Sequence, residues 1–361
     1  ALEGLLEEAL RAQNTAELVT AIYGVIRPAL LESIERYIGE TNPLADQPSC
    51  RALTLIRLEE SETMAWGKAA LTAINDNCLY GAEQFAQHLN AYLAYAGGID
   101  GTARKLEEEL PASRATKRFV PNLEPRRDER FHGLYDTSIP ADMVYADESR
   151  PIEERNLALL FKRVREMDVP ETIASIVAES FDQPWQYYYD MFRQMWDEAR
   201  HALLGQAALE SHGVDWTQLP VNVTFSYKLA KFLNSRERHI LLYGIEQSLM
   251  PGSTGKKYEW EIARASGDKL SMNLHDFDWA DEVLHAAIGR NHLRSEFTEQ
   301  TDMIRSADRL VARIAEGLKN TALPQDAPSP DWWEKFAASV LGHTVPKVDK
   351  THLTEWKPVS S

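Results

Sequence analysis

Two nine-residue segments of the chain share one pattern. Asp197-Glu198-Ala199-Arg200-His201-Ala202-Leu203-Leu204-Gly205 and Asp281-Glu282-Val283-Leu284-His285-Ala286-Ala287-Ile288-Gly289 both read D-E-x-x-H-A-x-x-G, 84 positions apart. A carboxylate and an imidazole three residues apart on a helix lie on one face and address one point in space. Two such helices facing each other supply half the ligands of a dinuclear metal site.

The stripe through the first copy, Tyr187, Met191, Gln194, Glu198, His201, Ala202 and Gly205, follows helical spacing and is core-facing. The second copy repeats it with His275, Asp278, Glu282, His285, Ala286 and Gly289, set between Leu274, Trp279 and Leu284. A carboxylate and a neutral histidine on such a stripe are costly unless paired or metal-bound. One core histidine is ordinarily a hydrogen-bonded structural residue, but two inside the same extended pattern point to a shared metal site. Glu198, His201, Glu282 and His285 are therefore the expected ligands. The second nitrogen of each ring needs an acceptor, for which Asp197 and Asp278 are close in sequence. Arg200 is expected to project outward and pair with Asp197 or another acid.

The elements that must position these residues read as helices near 152–181, 184–210, 223–250, 269–295 and 296–319, with a short one near 257–265. Pro184 is a favoured first-turn residue after Asp182, so the first two pack antiparallel across a short turn. Met250-Pro251-Gly252 ends the third, and Asp268 caps the fourth. A dinuclear carboxylate site takes one more glutamate from each of the other two helices. In the first helix Glu166 matches the depth of Glu198 across the turn and shares a face with Leu159, Ile173 and Val177, but Pro170 interrupts the helix one turn later. Glu171 competes with it, although Asp168-Val169-Pro170-Glu171 also reads as a capping box. In the third helix Glu237 lies near the midpoint, on a face with Ala230, Leu233, Ile240, Leu241 and Gly244. It is favoured over Glu246, which falls barely a turn from the helix end.

Around this block, residues 1–110 read as three or four helices with breaks at Asn42-Pro43, Gln47-Pro48 and Gly97-Gly98. The segment Leu58-Glu59-Glu60-Ser61-Glu62-Thr63-Met64-Ala65-Trp66-Gly67 has carboxylates but no histidine at the third following position. The block thus reads as a decayed bundle half that binds no comparable metal pair. Residues 111–150 alternate prolines with arginines and suggest an extended arm or linker. Residues 151–320 form the metal-binding bundle, and 321–361 a proline-containing tail whose Trp332 and Trp333 imply packing rather than disorder.

The two E-x-x-H motifs, with a glutamate on each remaining helix, resemble the ferritin-like di-iron carboxylate superfamily over roughly residues 152–295. The stretch Asp278 to His285, D-W-A-D-E-V-L-H, is similar to a large bacterial branch of it that is not tied to one reaction. The resemblance implies an all-α chain built on a ferritin-like four-helix bundle, with the amino-terminal helical block added. It implies two iron ions, with Fe/Mn or Mn/Mn also compatible, in an oxidase or oxygenase that activates dioxygen or peroxide toward a small-molecule substrate. No rubredoxin-type cysteine pairs and no flavin or nicotinamide fingerprint are visible, so electrons are expected from an external donor or the substrate. Two other readings are a metal-stabilised structural or interaction protein and an iron-storage or detoxification protein. The extra block, arm and tail are superfluous for the latter. Tyr187-Tyr188-Tyr189, with Trp185 and Trp196, read first as bundle packing and second as redox-active aromatics.

A net charge of −16 argues against nucleic acid and against an anionic membrane surface. There is no run of 18 apolar residues and no basic-then-apolar amino terminus. Cys50 and Cys78 read as free buried thiols in a reducing cytoplasm. A homodimer is compatible with this picture.

Overall fold

Proline and local capping decide where the helices of this chain stop, and those stops set the depth of every candidate ligand. The computed structural model describes residues 2–74, 76–104, 110–117, 119–127, 129–135, 140–252, 255–324 and 328–348, with backbone alone for 76–80 and 140. The described residues form helices and no strands, so the fold class is all-α. Two compact units meet in sequence at Val120 and Pro121, inside the proline- and arginine-rich stretch.

The first unit holds α1 (Leu2–Ala9), α2 (Thr15–Val19), a π-helical segment (Thr20–Ile26), α3 (Arg27–Glu40), α4 (Gln47–Ala73) and α5 (Asp76–Ala96). Its core is Leu5, Ala21, Val25, Phe85, Leu89 and Tyr92. Gly67 lets α4 approach Tyr23, since a Cβ there would fall 2.3 Å from the ring. Glu59 and Glu62 face solvent, and Glu60 accepts from Arg27 at 2.7 Å. Cys50 is a free thiol but only half-buried, and the Cys78 side chain lies outside the described residues.

In the second unit α6 (Pro140–Ala146) packs on α7 (Ile152–Arg165). The helix expected over 152–181 breaks here, because Pro170 has no N–H for the carbonyl of Glu166 and its ring would crowd that oxygen. Glu166 becomes the joint between α7 and α8 (Asp168–Glu179). A turn through Asp182, at φ 59°, leads to α9 (Trp185–Ser211), which packs on both. The helix expected over 223–250 is also two, α10 (Thr224–Phe232) and α11 (Ser235–Ser248). The side chain of Asn234 accepts from the amide of Glu237 at 2.9 Å while Glu237 accepts from the amide of Asn234 at 3.0 Å, and this capping box starts a new helix.

Next come α12 (Lys256–Ser266), α13 (Lys269–Leu293), capped by Asp268 as expected, α14 (Gln300–Lys319) and α15 (Trp332–Leu341). Helix α13 packs on α9, α11 and α12, and α11 also packs on α8 and α14. Glycine makes two of these approaches close: a Cβ on Gly205 of α9 would fall 2.6 Å from Cβ of Arg163 and 2.8 Å from the amide nitrogen of Val164. On α13 a Cβ at Gly289 would fall 2.8 Å from Tyr243 of α11. The arm bonds to this unit where His132 and Leu134 carbonyls accept from Val221 and Val223 at 3.2 and 2.7 Å. The tail packs too: Trp332 meets Phe161 edge to face, Trp333 meets it at a tilt, and Trp333 donates to Glu154 at 3.2 Å. Trp185, Tyr189 and Trp196 of the aromatic run are exposed, whereas Tyr187 is buried. No helix of the described residues is long and apolar enough to cross a membrane.

Candidate metal centre

Helices α9 and α13 turn their motifs toward each other. Ligand atoms of Glu198, Glu246, Glu282 and His285 lie within 4.8 Å of one another, and so do those of Glu166, His201 and Asp278. Glu198 joins the two groups: one oxygen is 3.2 Å from Nδ1 of His285 and the other 3.5 Å from Nδ1 of His201. Both imidazoles are fully buried with ring centroids 5.9 Å apart. Nδ1 of His201 has no hydrogen-bond partner although it faces three carboxylates, the geometry of a donor aimed at a cation.

The outward nitrogens are braced crosswise. Nε2 of His285 lies 3.5 Å from Asp197, and Nε2 of His201 lies 3.1 Å from Asp281. Each motif's aspartate thus lies against the other motif's histidine, through a hydrogen bond at His201 and a longer charge contact at His285, with Nδ1 of each ring turned inward. The sequence pointed to Asp197 but missed Asp281, although both copies begin with the same D-E pair. Arg200 pairs with Asp197 at 3.0 Å and also with Asp281, bridging the two braces.

Two candidate ligands lie elsewhere. Glu237 is the capping residue of α11 and accepts from Arg313 at 2.7 Å. The midpoint argument for it fails because the helix begins at Ser235 rather than near 223. With that start, Glu246 is buried in the cluster and accepts from Gln194 at 2.9 Å. Glu171 sits in the first turn of α8, ion-paired with Arg127, while Glu166 at the helix joint reaches His201 at 3.7 Å.

The two groups differ in countercharge. Beside Glu166 and Asp278 lie two fully buried cations that the sequence reading did not anticipate, Arg163 and Lys256. Arg163 pairs with Asp278 and with Glu166 at 2.8 Å. Lys256 donates to Asp278 at 2.8 and 3.0 Å and sits 2.8 Å from Glu282. Nothing in the sequence reveals Lys256, which arrives from a short helix with no fixed spacing to either motif. Burial opposes charge on Asp278, yet Arg163 and Lys256 hold its carboxyl well below the usual range. Glu246 has no such partner: burial, then Glu282 and Glu198, push it well above. Burial pushes Glu166 up to about 7 against the pull of Arg163 and Lys256. For His201 burial disfavours the cation, but Asp278, Asp281 and Glu198 raise it to about 10. These carboxylates want positive charge, which is the condition for cation binding.

A third group, Glu259, His275 and Asp278, is an ion-pair cluster, since Lys162 and Arg163 already occupy the oxygens of Glu259. A mostly apolar cavity of about 230 Å³ lies behind the joint that carries Glu166, lined by Val164, Met167, Gln206, Phe131, Trp216 and Val221 with Arg127. Compared with known proteins, the chain matches no protein-family model, no curated protein and no solved structure.

Proposed function

We propose that the helices bearing Glu166, Glu198/His201, Glu246 and Glu282/His285 form a ferritin-like four-helix bundle around a dinuclear metal centre, and that the chain is a non-haem di-iron oxidase or oxygenase. The observation that carries this reading is the position of Glu198, with one oxygen toward each inward-facing histidine nitrogen. Four glutamates and two neutral imidazoles suit iron, and equally an iron–manganese or manganese pair. Two reduced ions held there would supply two electrons to dioxygen or peroxide.

The protein's own part is positional. Asp197 and Asp281 hold the imidazoles in register, Gln194 orients Glu246, and Arg163 fixes Asp278 and Glu166. Burial of these groups excludes water and keeps the charges strong. The cavity behind Glu166 is the size and polarity for a small, largely apolar substrate, and electrons come from an external donor. The test is metal analysis of purified protein followed by oxygen uptake after anaerobic reduction. Two equivalents of metal and rapid uptake are expected, with both lost in Glu198→Ala and His285→Ala. Metal without oxygen uptake would support a purely structural centre instead.

A further inference from the structure

We infer that Lys256 makes the two metal positions unequal, so that the Glu198, Glu246, Glu282 and His285 position fills first and the Glu166, His201 and Asp278 position binds its ion far more weakly. This rests on the dinuclear reading above.

The asymmetry is visible in the repeat itself. Four residues before the first motif's glutamate stands neutral Gln194, which donates to Glu246. Four before the second stands Asp278, an additional acid lying against Glu166 and His201. The two motif glutamates differ in the same sense. Glu198 offers an oxygen to each histidine, but Glu282 offers one to His285 at 3.2 Å and has the other 2.8 Å from Nζ of Lys256. The ammonium therefore lies against Asp278 and, at 3.6 Å, Glu166, both of the second position, and against Glu282 of the first. Arg163 takes further capacity from Asp278 and Glu166. The second position thus has two carboxylates answered by two cations, whereas of the first position's three carboxylates only Glu282 has a lysine or arginine against it. An ion entering the second position must draw Asp278 and Glu166 away from an ammonium that is fully buried and has no nearby solvent to receive it.

The backbone holds Lys256 in place. Its amide donates to the carbonyl of Leu249 at 3.0 Å, three residues beyond Glu246, and Gly255 donates to Pro251 at 2.8 Å. A Cβ at Gly255 would fall 2.0 Å from that same Leu249 carbonyl, so only glycine lets the chain cross closely enough to feed Lys256 inward.

The experiment is a cobalt(II) titration of chelator-treated full chain, read by equilibrium dialysis and by the cobalt absorption bands. Wild type is expected to bind one equivalent tightly and a second at least about 100-fold more weakly, on the scale by which groups beside a ligand tune metal affinity. Lys256→Met should strengthen the second step by about tenfold or more and the first, which Lys256 touches only through Glu282, by much less, while Lys256→Arg should keep the gap. Lys256→Gln repeats the test if the methionine variant fails to fold, and the wild-type isotherm decides independently of either. Two equal steps in wild type, or a gap unaltered in Lys256→Met and Lys256→Gln, overturn the inference while leaving the metal centre standing. Absence of cobalt binding in all the proteins overturns both.

Discussion

Replacing Glu246 by Gln should stabilise the protein freed of metal while weakening its metal binding. Burial, then repulsion from Glu282 and Glu198, raise the Glu246 carboxyl well above its ordinary 4.5, so the folded chain retains a proton there that the unfolded chain releases. The cost of that proton is absent below the unfolded value. It grows by about 1.4 kcal/mol per unit as the pH rises, until the folded carboxyl itself ionises. The penalty therefore grows with pH from the unfolded value upward, and each unit is a noticeable part of an ordinary domain's stability. Glutamine carries no proton to lose, can accept from Gln194 through its oxygen, and can donate to Glu282 through its amide. Urea denaturation of chelator-treated wild type and Glu246→Gln should therefore coincide near pH 4.5 and diverge toward pH 7, with the variant more stable. Glu237→Gln is the contrast. Its partner Arg313 is half-exposed, so the substitution should cost under about 1 kcal/mol and leave metal binding intact. A Glu246→Gln variant no more stable than wild type at pH 7, or offset equally at every pH, would refute the placement of Glu246 among buried carboxylates with no lysine or arginine of its own.

Three further outcomes can be checked directly. Asp197→Asn should weaken by about 10- to 100-fold the metal position served by His285, and Asp281→Asn the one served by His201, as metal titration with each variant would resolve; loss at the motif's own histidine instead would contradict the crosswise brace. Gly205→Ala should destabilise by about 1–3 kcal/mol in chemical denaturation, because the new Cβ meets backbone of α7 that has no room to yield, and a neutral or stabilising result counts against that packing. His239 is buried and neutral, and burial, then Arg236 and His292, lower it to about 3. Protonation of the unfolded chain alone should then cost about 1.4 kcal/mol of stability per unit as pH falls from 6.5 toward 3. His239→Leu should remove that slope, and an unchanged slope would point to other groups.

The parts of this molecule that depend on neighbours in sequence were readable from it. Helical phase placed Glu198, His201, Glu282 and His285 on inward stripes, and Pro184 and Asp268 marked real helix starts. The choice between Glu237 and Glu246 failed for a physical reason: depth was counted along one helix where Asn234-Ser235-Arg236-Glu237 writes a fresh start in local hydrogen bonds. That start signal was present in the residues, and the glutamate taken for a ligand was part of it. Glu166 was harder, since it stands at a joint where Pro170 ends helical phase and only tertiary packing decides its direction. Lys256 and Arg163 lay beyond reach, because their place beside Asp278 comes from how α12 docks on both α13 and α7, which no periodicity encodes.

The crosswise aspartates make the duplicated motif a single heritable unit. A change at Asp197 is felt by a histidine in the other copy, and a change at Asp281 by one in the first. Neither copy can drift, be transplanted or be lost while the other keeps its function, because each carries a part that belongs to its twin. Substitutions in the two copies should therefore compensate or compound one another, and double variants spanning them should depart from the sum of the singles.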